Sequence, residues 1–264
     1  MTGSWVDGGT ISRYTAPMTT TNSGIPESLR IGCAGWQIPR ELTDRFAEGE
    51  SHLERYATRF TCTEINSSFY KPHRPSTYES WAASVTDGFQ FAVKMPKQVS
   101  HASRLADVSA LSYFLSDIAP LGDRLGPLLI QLPPGFAFES ERVRSFLLAL
   151  RFRFRGWVAC EPRHPSWFTG EADQLLAEHE VARVASDPAP VPAAAQPGGW
   201  NGFAYYRLHG APRVYYSPYS GDYLDSLAPL LHKRARAMPV WCIFDNSARG
   251  AAAANALDLL RRLE

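Results

Sequence analysis

Eight short apolar runs punctuate the chain, at residues 29–35, 62–69, 90–96, 128–133, 157–164, 182–187, 204–210 and 240–246. They are rich in Val, Ile and aromatic residues and mostly continuous in hydrophobicity, the pattern of parallel strands covered on both faces. Between them the apolar period changes to that of a helix. Residues 52–60 align Leu53, Tyr56, Ala57 and Phe60 on one stripe, and residues 109–121 align Leu111, Phe114, Leu115 and Ile118. Residues 140–150 do the same with Val143, Phe146, Leu147 and Leu150, with Ser140 as the expected N-cap. Helices at 171–179, 224–237 and 251–263 complete the series, while the Pro, Ala and Gly-rich stretch 187–203 is expected to be irregular. Strands alternating with helices in this way predict an α/β fold. It is read as a (β/α)8 TIM-type barrel in a single domain over residues 29–264, with an irregular connection between strands 6 and 7. Residues 1–28, rich in Thr, Ser and Gly, read as a flexible leader, and Met18 offers an alternative start. The rival is a doubly wound open sheet, which usually carries a Gly-rich phosphate turn after its first strand. Here that turn reads Ile31-Gly-Cys-Ala-Gly-Trp36 and lacks the G-x-G-x-x-G spacing.

The strand runs share a direction: apolar residues come first and ionisable residues last. Side chains alternate between the faces of a strand, so Cys62, Glu64 and Asn66 share a face, as do Ala92 and Lys94, Leu129 and Gln131, and Ala159, Glu161 and Arg163. The same alternation groups Ala185 with Asp187, and Tyr205 with Arg207 and His209, and the eighth run ends in Asp245 and Asn246. In a barrel the late ends form the carboxyl-terminal mouth, where active sites of that fold are found. The expected mouth therefore holds Glu64, Asn66, Lys94, Gln131, Glu161, Arg163, Asp187, Arg207, His209, Asp245 and Asn246. Trp36, Phe69, Tyr70, His101, His164, Trp167 and Tyr219 lie on or near the loops beyond. Two accounts of this ring stand side by side. Buried ions can simply satisfy one another, as Glu161 with Arg163 or Asp187 with Arg207. Alternatively they face a ligand, since apolar replacement of a closed ion network is often at least as stable.

Composition narrows the choice of ligand. The chain is 264 residues long and 45% hydrophobic, enough for one large core. A net charge of +1 gives no basic excess of the kind nucleic-acid binders carry, which argues against a nucleic-acid partner. No apolar run approaches a membrane span and no signal-like segment opens the chain, so no membrane partner and a cytoplasmic location are expected. Cys33, Cys62, Cys160 and Cys242 are widely spaced inside strand-like runs and read as free core thiols.

Several segments, taken in order, resemble the DUF72 (YecE-like) family. They are Ile31-Gly-Cys-Ala-Gly-Trp36, Glu64-Ile-Asn-Ser-Ser-Phe-Tyr70, Phe91-Ala-Val-Lys94 with His101, and Gly126-Pro-Leu-Leu-Ile-Gln-Leu-Pro-Pro134. Glu161-Pro-Arg-His-Pro-Ser-Trp167, Arg207-Leu-His-Gly210, and Phe244-Asp-Asn246 with Gly250 and Asn255-Ala256 follow. The resemblance runs from about Leu29 to the end of the chain. It implies a TIM-type barrel with a polar cleft at the strand carboxyl ends, and it supplies no reaction. Pro162 stands where the family more often has Phe, and Asp245 where Asn is common.

The chemistry expected of the mouth follows from its residue types. Arg forks match carboxylate or phosphate, so Lys94, Arg163 and Arg207 point to a small anionic or sugar-like ligand. Paired carboxylates serve as acid and base in glycoside chemistry. Glu161, kept ionised by Arg163, is the expected base and Glu64 its partner, with His209 or His164 as proton donor. Asn66, Tyr70, Gln131, His101, Trp167, Asp187, Asp245 and Asn246 are the expected remaining contacts. This favours hydrolysis or lysis without a cofactor or metal. The alternatives are metal-assisted phosphoester hydrolysis or isomerisation through Glu64, Glu161, Asp187 and His209, and a non-catalytic small-molecule binding protein. The lysines and arginines beside those ligands oppose a cation, and no H-x-H or H-E-x-x-H spacing is present.

Overall fold

Burial on both faces is what the strand runs anticipate, and the strands have it. The computed structural model describes residues 25–264, so the expected leader lies almost wholly outside the described residues. In chain order the strands are β1 (Leu29–Cys33), β2 (Cys62–Ile65), β3 (Gln90–Lys94), β4 (Leu125–Gln131), β5 (Val158–Glu161), β6 (Val181–Arg183), β7 (Ala185–Asp187), β8 (Gly198–Gly199), β9 (Ala204–Leu208) and β10 (Val240–Phe244). The helices are α1 (His52–Ala57), α2 (Pro75–Ala83), α3 (Val108–Ile118), α4 (Ser140–Arg153), α5 (Gly170–Glu178), α6 (Gly221–Ala235) and α7 (Ala251–Leu263). Every residue of β2, β5, β9 and β10 is buried.

The ladders form two arcs, in the orders β1-β10-β9-β7 and β2-β3-β4-β5-β6-β8. All neighbours are parallel except β6 and β8. The closed eight-stranded cylinder expected from the sequence is thus not recovered as one continuous ladder; the molecule is a mixed α/β single-domain fold. The reason lies at two seams. At the first, β1 and β2 meet through a single bridge, Ala34 to Glu64, with Gly35 N–H donating to the Glu64 carbonyl at 2.8 Å. Gly32 faces the Cys62 backbone there, and a Cβ on it would collide with the Cys62 carbonyl. At the second, the expected sixth strand is interrupted at Val184. Its first half pairs with β5 and its second half with β9.

Two apolar layers result. Ala34, Cys62, Ala92, Leu129, Ala159, Ala182, Val184, Tyr205, Trp241 and Ile243 pack inside the arcs. The alternate residues, among them Ile31, Ile65, Val93, Ile130, Cys160, Ala185, Leu208 and Phe244, face the helices. All four cysteines are buried and free; burial pushes the Cys33 thiol up to about 12. Helix α2 is absent from the sequence expectation because its periodic signal is faint: Tyr78 is its only buried residue. Ser140 does not cap α4; it is the first helical residue, after Glu139, whose side chain makes no capping bond. The stretch expected to be irregular holds a 3-10 turn, Pro192–Ala195, and the two residues of β8.

Candidate ligand site at the carboxyl ends of the strands

Alternation along the strands delivers the site. On β2, Cys62 lies in the inner layer, so Glu64 follows it inward. Ala92 brings in Lys94, Leu129 brings in Gln131, Ala159 brings in Glu161, Tyr205 brings in Arg207, and Ile243 leads to Asp245. Register then sets the side chains level with one another: Gln131 lies beside Glu161, and Ile243 beside Arg207.

Arg207 is the hub. It has no solvent exposure and binds three carboxylates. Its Nε and Nη2 donate to Glu64 Oε2 and Oε1 at 3.0 and 2.6 Å, and Nη1 donates to Glu161 Oε2 at 2.7 Å. Nη2 also lies 3.0 Å from Asp245 Oδ2. The Tyr205 hydroxyl donates to Glu64 Oε2 at 2.8 Å. His209 bridges the other two carboxylates, Nε2 to Glu161 Oε1 at 2.7 Å and Nδ1 to Asp245 Oδ2 at 3.0 Å. Arg163 Nη2 reaches the same Glu161 oxygen at 2.6 Å, and Asn66 Nδ2 donates to Asp245 Oδ1 at 3.2 Å.

Burial alone would raise the carboxyl pKa values. It is outweighed at Glu161 by Arg207, His209 and Arg163, which hold that carboxyl well below the usual range. Asp245 is held low against burial by Arg207 and His209. Arg207 would lose its proton more easily for being buried, but Glu64, Asp245 and Glu161 keep it firmly charged. Lys94 goes the other way. Burial, then the charge of Arg207, pulls its amine down to about 8, against the opposing pull of the three carboxylates. Its Nζ sits 4.3 Å over the Phe69 ring. No carboxylate among the described residues lies within ion-pair distance of it.

Not every expected residue joins this cluster. Asp187 faces outward, because Ala182 and Val184 take the inner face of their run. Its carboxylate accepts from the Tyr219 hydroxyl at 2.8 Å and lies beside Tyr223 of α6. Asn246 also falls on the outer parity, after Phe244, and donates to Asn255 Oδ1 of α7 at 2.9 Å and to the Ser217 carbonyl at 3.0 Å. Trp167 is fully buried in the core, its indole N–H donating to the Phe136 carbonyl at 2.8 Å. His164 folds its own turn through Ser166 at 2.8 Å. Tyr70 is 81% exposed, edge-on to Phe69. His101 packs edge-on against the other side of this corner, 4.9 Å from Phe69. Burial and the charges of Lys94 and Lys97 lower its pKa. Trp36 packs against Trp81 of α2. Two participants were not among the expected contacts. Tyr205 shares the face of Arg207 and His209, a parity legible in the sequence. Tyr215 stacks edge-on to His209 at 5.7 Å from a left-handed backbone (φ 69°), which no sequence signal marks.

The chemical consequence is unequal availability. All four oxygens of Glu64 and Glu161 are engaged by Arg207, Arg163, His209 or Tyr205, and the cations around Glu161 leave that carboxylate weakly basic. Capacity remains at three places. Lys94 has its ammonium, and among the described residues Arg163 Nε and Asn66 Oδ1 have no hydrogen-bond partner. Arg163 is also the charged side chain of the cluster with most exposure, 18%. Among the described residues no three His, Cys, Asp or Glu side chains stand together as a metal-ligand set. No helix there is long and apolar enough to cross a membrane.

The chain is 34% identical over 173 residues to the UPF0759 protein YecE of Escherichia coli K12 and 23% identical over 177 residues to YunF of Bacillus subtilis 168. These alignments take in 63% and 61% of this chain, and the chain spans about 61% of the length of each relative. A DUF72 protein of Enterococcus faecalis V583 superposes with a TM-score of 0.76 at 23% identity, covering 89% of this chain and 95% of that one. One from Thermotoga maritima MSB8 superposes at 0.72 and 24% identity, covering 89% and 98%. The family model described as a protein of unknown function, DUF72, matches residues 30–264, and the chain belongs to that family.

Proposed function

We propose that the carboxyl ends of the strands bind a small anionic or sugar-like molecule and act on it by hydrolysis or lysis. In this reading the two arcs are one eight-stranded barrel whose ladder is interrupted at its seams, and the protein works in the cytoplasm. The observation that carries the proposal is the split in the cluster between satisfied and unsatisfied groups. Glu64, Glu161 and Asp245 are each paired with Arg207, whereas Arg163 Nε and Asn66 Oδ1 are buried with no partner among the described residues. Buried polar atoms are rarely left without a hydrogen bond, and two of the six such side-chain atoms among the described residues fall in this one cluster. Arg163 and Lys94 supply the positive charge for an anion. Asn66, with an acceptor free, suits a hydroxyl.

The paired carboxylates take a different part from the base and partner expected of Glu161 and Glu64. They position Arg207, Arg163 and His209 rather than receive a proton. That same engagement favours a second reading, a binding protein that turns nothing over. Calorimetric titration with inorganic phosphate and with sugar phosphates, followed by product analysis, separates the two readings. Arg163→Gln is expected to weaken anion binding about tenfold or more, the effect of losing a hydrogen bond from a charged group. Equal affinity in wild type and Arg163→Gln, or no anion bound by either, overturns the proposal.

A further inference from the structure

Lysine is scarce in this chain. Of 27 Lys and Arg residues four are lysine: Lys71, Lys94, Lys97 and Lys233. Where a buried cation is needed for pairing, at 183 and 207, the chain uses arginine, as the planar fork favours. Position 94 breaks this habit. It holds a lysine at the inner edge of β3, 7% exposed, that pairs with no carboxylate among the described residues and rests its amine on an aromatic face. An ammonium in that place is poorly solvated and poorly paired. A neutral amine is not, and removal of lysine from water beside a second cation is the known way to make it a nucleophile. Arg207 is that second cation, and its charge is locked by three carboxylates. The lowered pKa of Lys94, about 8, agrees with the geometry.

We infer that Lys94 forms a covalent imine with a small aldehyde or ketone that carries a carboxylate or phosphate, the anionic group lying against Arg163. This rests on the anion-binding reading above and names the substrate class and the attacking atom. The balance is that of an ordinary condensation. The Nζ lone pair forms a bond to the carbonyl carbon as the carbonyl π bond breaks, and a proton passes from nitrogen to oxygen to give a carbinolamine. Its hydroxyl then leaves as water, taking one proton, and the nitrogen lone pair closes a C=N bond. Counted from the ammonium form, the charge is conserved: ammonium plus carbonyl gives iminium plus water. Asn66, whose Nδ2 binds Asp245 and whose Oδ1 has no partner among the described residues, offers an acceptor in the same cluster for the carbinolamine hydroxyl. An iminium is an electron sink for cleavage of an adjacent bond, which places the lysis arm of the proposal ahead of hydrolysis.

Reductive trapping tests the inference on the intact protein. Wild type is incubated at neutral pH with cyanoborohydride and either pyruvate or dihydroxyacetone phosphate, and with acetone as the uncharged comparison. Peptide mapping then locates the reduced adduct among the four lysines. The expected result is about tenfold or more adduct on Lys94 than on any other lysine, more with the anionic carbonyls than with acetone, and loss of that adduct in Lys94→Arg. Adduct spread evenly over Lys71, Lys97 and Lys233, or no adduct at all, overturns the imine. Because wild type alone gives this answer, it does not depend on the variant folding. Phosphate titration run in parallel keeps the two failures apart. Phosphate binding without an adduct sinks the imine alone; no phosphate binding sinks the anion site with it.

Discussion

A guanidinium with no solvent exposure and carboxylate oxygens at 2.6, 2.7 and 3.0 Å is costly to place and costlier to remove. Desolvation opposes every ion of such a group, and the pairing offsets it only while all partners are present. Arg207→Met is therefore expected to destabilise the protein by about 3–5 kcal/mol, because it strands Glu64, Glu161 and Asp245. Urea unfolding monitored by tryptophan fluorescence measures this. A loss under about 1 kcal/mol would mean that the three carboxylates find other partners. Lys94 behaves in the opposite sense. Its folded pKa, about 8, lies below the ordinary 10.5, so the folded state pays a penalty for the charged amine. The penalty is complete below about pH 8 and fades as pH rises toward 10.5. Lys94→Met is expected to stabilise the protein by about 1–3 kcal/mol at pH 7, and the gain should shrink across that window. A gain that stays constant from pH 7 to 10.5 would locate its cause in packing rather than charge.

At the scale of elements, the loop after β9 and the helix α7 are held by one amide. Asn255 Oδ1 accepts from Tyr219 N–H and from Asn246 Nδ2, both at 2.9 Å, and its Nδ2 donates to the Tyr219 carbonyl at 3.0 Å. Asn255→Ala leaves buried groups unpaired and should cost about 1–3 kcal/mol, with faster proteolysis of residues 210–220. Unchanged cleavage would show that the loop is held elsewhere. These elements also show how far the sequence could be read. Alternating faces placed Glu64, Lys94, Glu161, Arg207, His209 and Asp245 together correctly, because parity is a local property of a strand. The same rule failed at Asp187, where the interruption at Val184 put the even-numbered residues 182 and 184 inside. It failed at Asn246 because two successive residues cannot both face inward. Trp167 was misplaced because a loop aromatic carries no mark of which way it turns. Asn255 stood out as a motif, yet its three hydrogen bonds depend on contacts across the fold. Above all, sequence could collect the charges but could not say which oxygens were already taken, as both oxygens of Glu161 are, by Arg207, Arg163 and His209.

For the molecule as a whole, the ion cluster makes stability a function of pH with a definite sign. Glu161 and Asp245 have folded pKa values below their ordinary 4.5 and 3.8. The unfolded chain therefore takes up protons first as pH falls. Their contribution is complete above the ordinary values and is lost as pH drops through the folded ones. Wild type should hold its urea midpoint from about pH 5 to 8 and lose it steeply below about pH 4. In Arg207→Met the balance changes sign at the same residues. With the hub cation gone, burial becomes the larger influence and raises the folded carboxyl pKa values. Acid then relieves the variant by protonating carboxylates it holds uncompensated. The stability gap between wild type and Arg207→Met should be widest near neutrality and close progressively toward pH 4, read from urea midpoints at a series of pH values. Parallel profiles for the two proteins would mean that Arg207 does not govern these carboxylates, and with that its place as the hub of the ion cluster would fail.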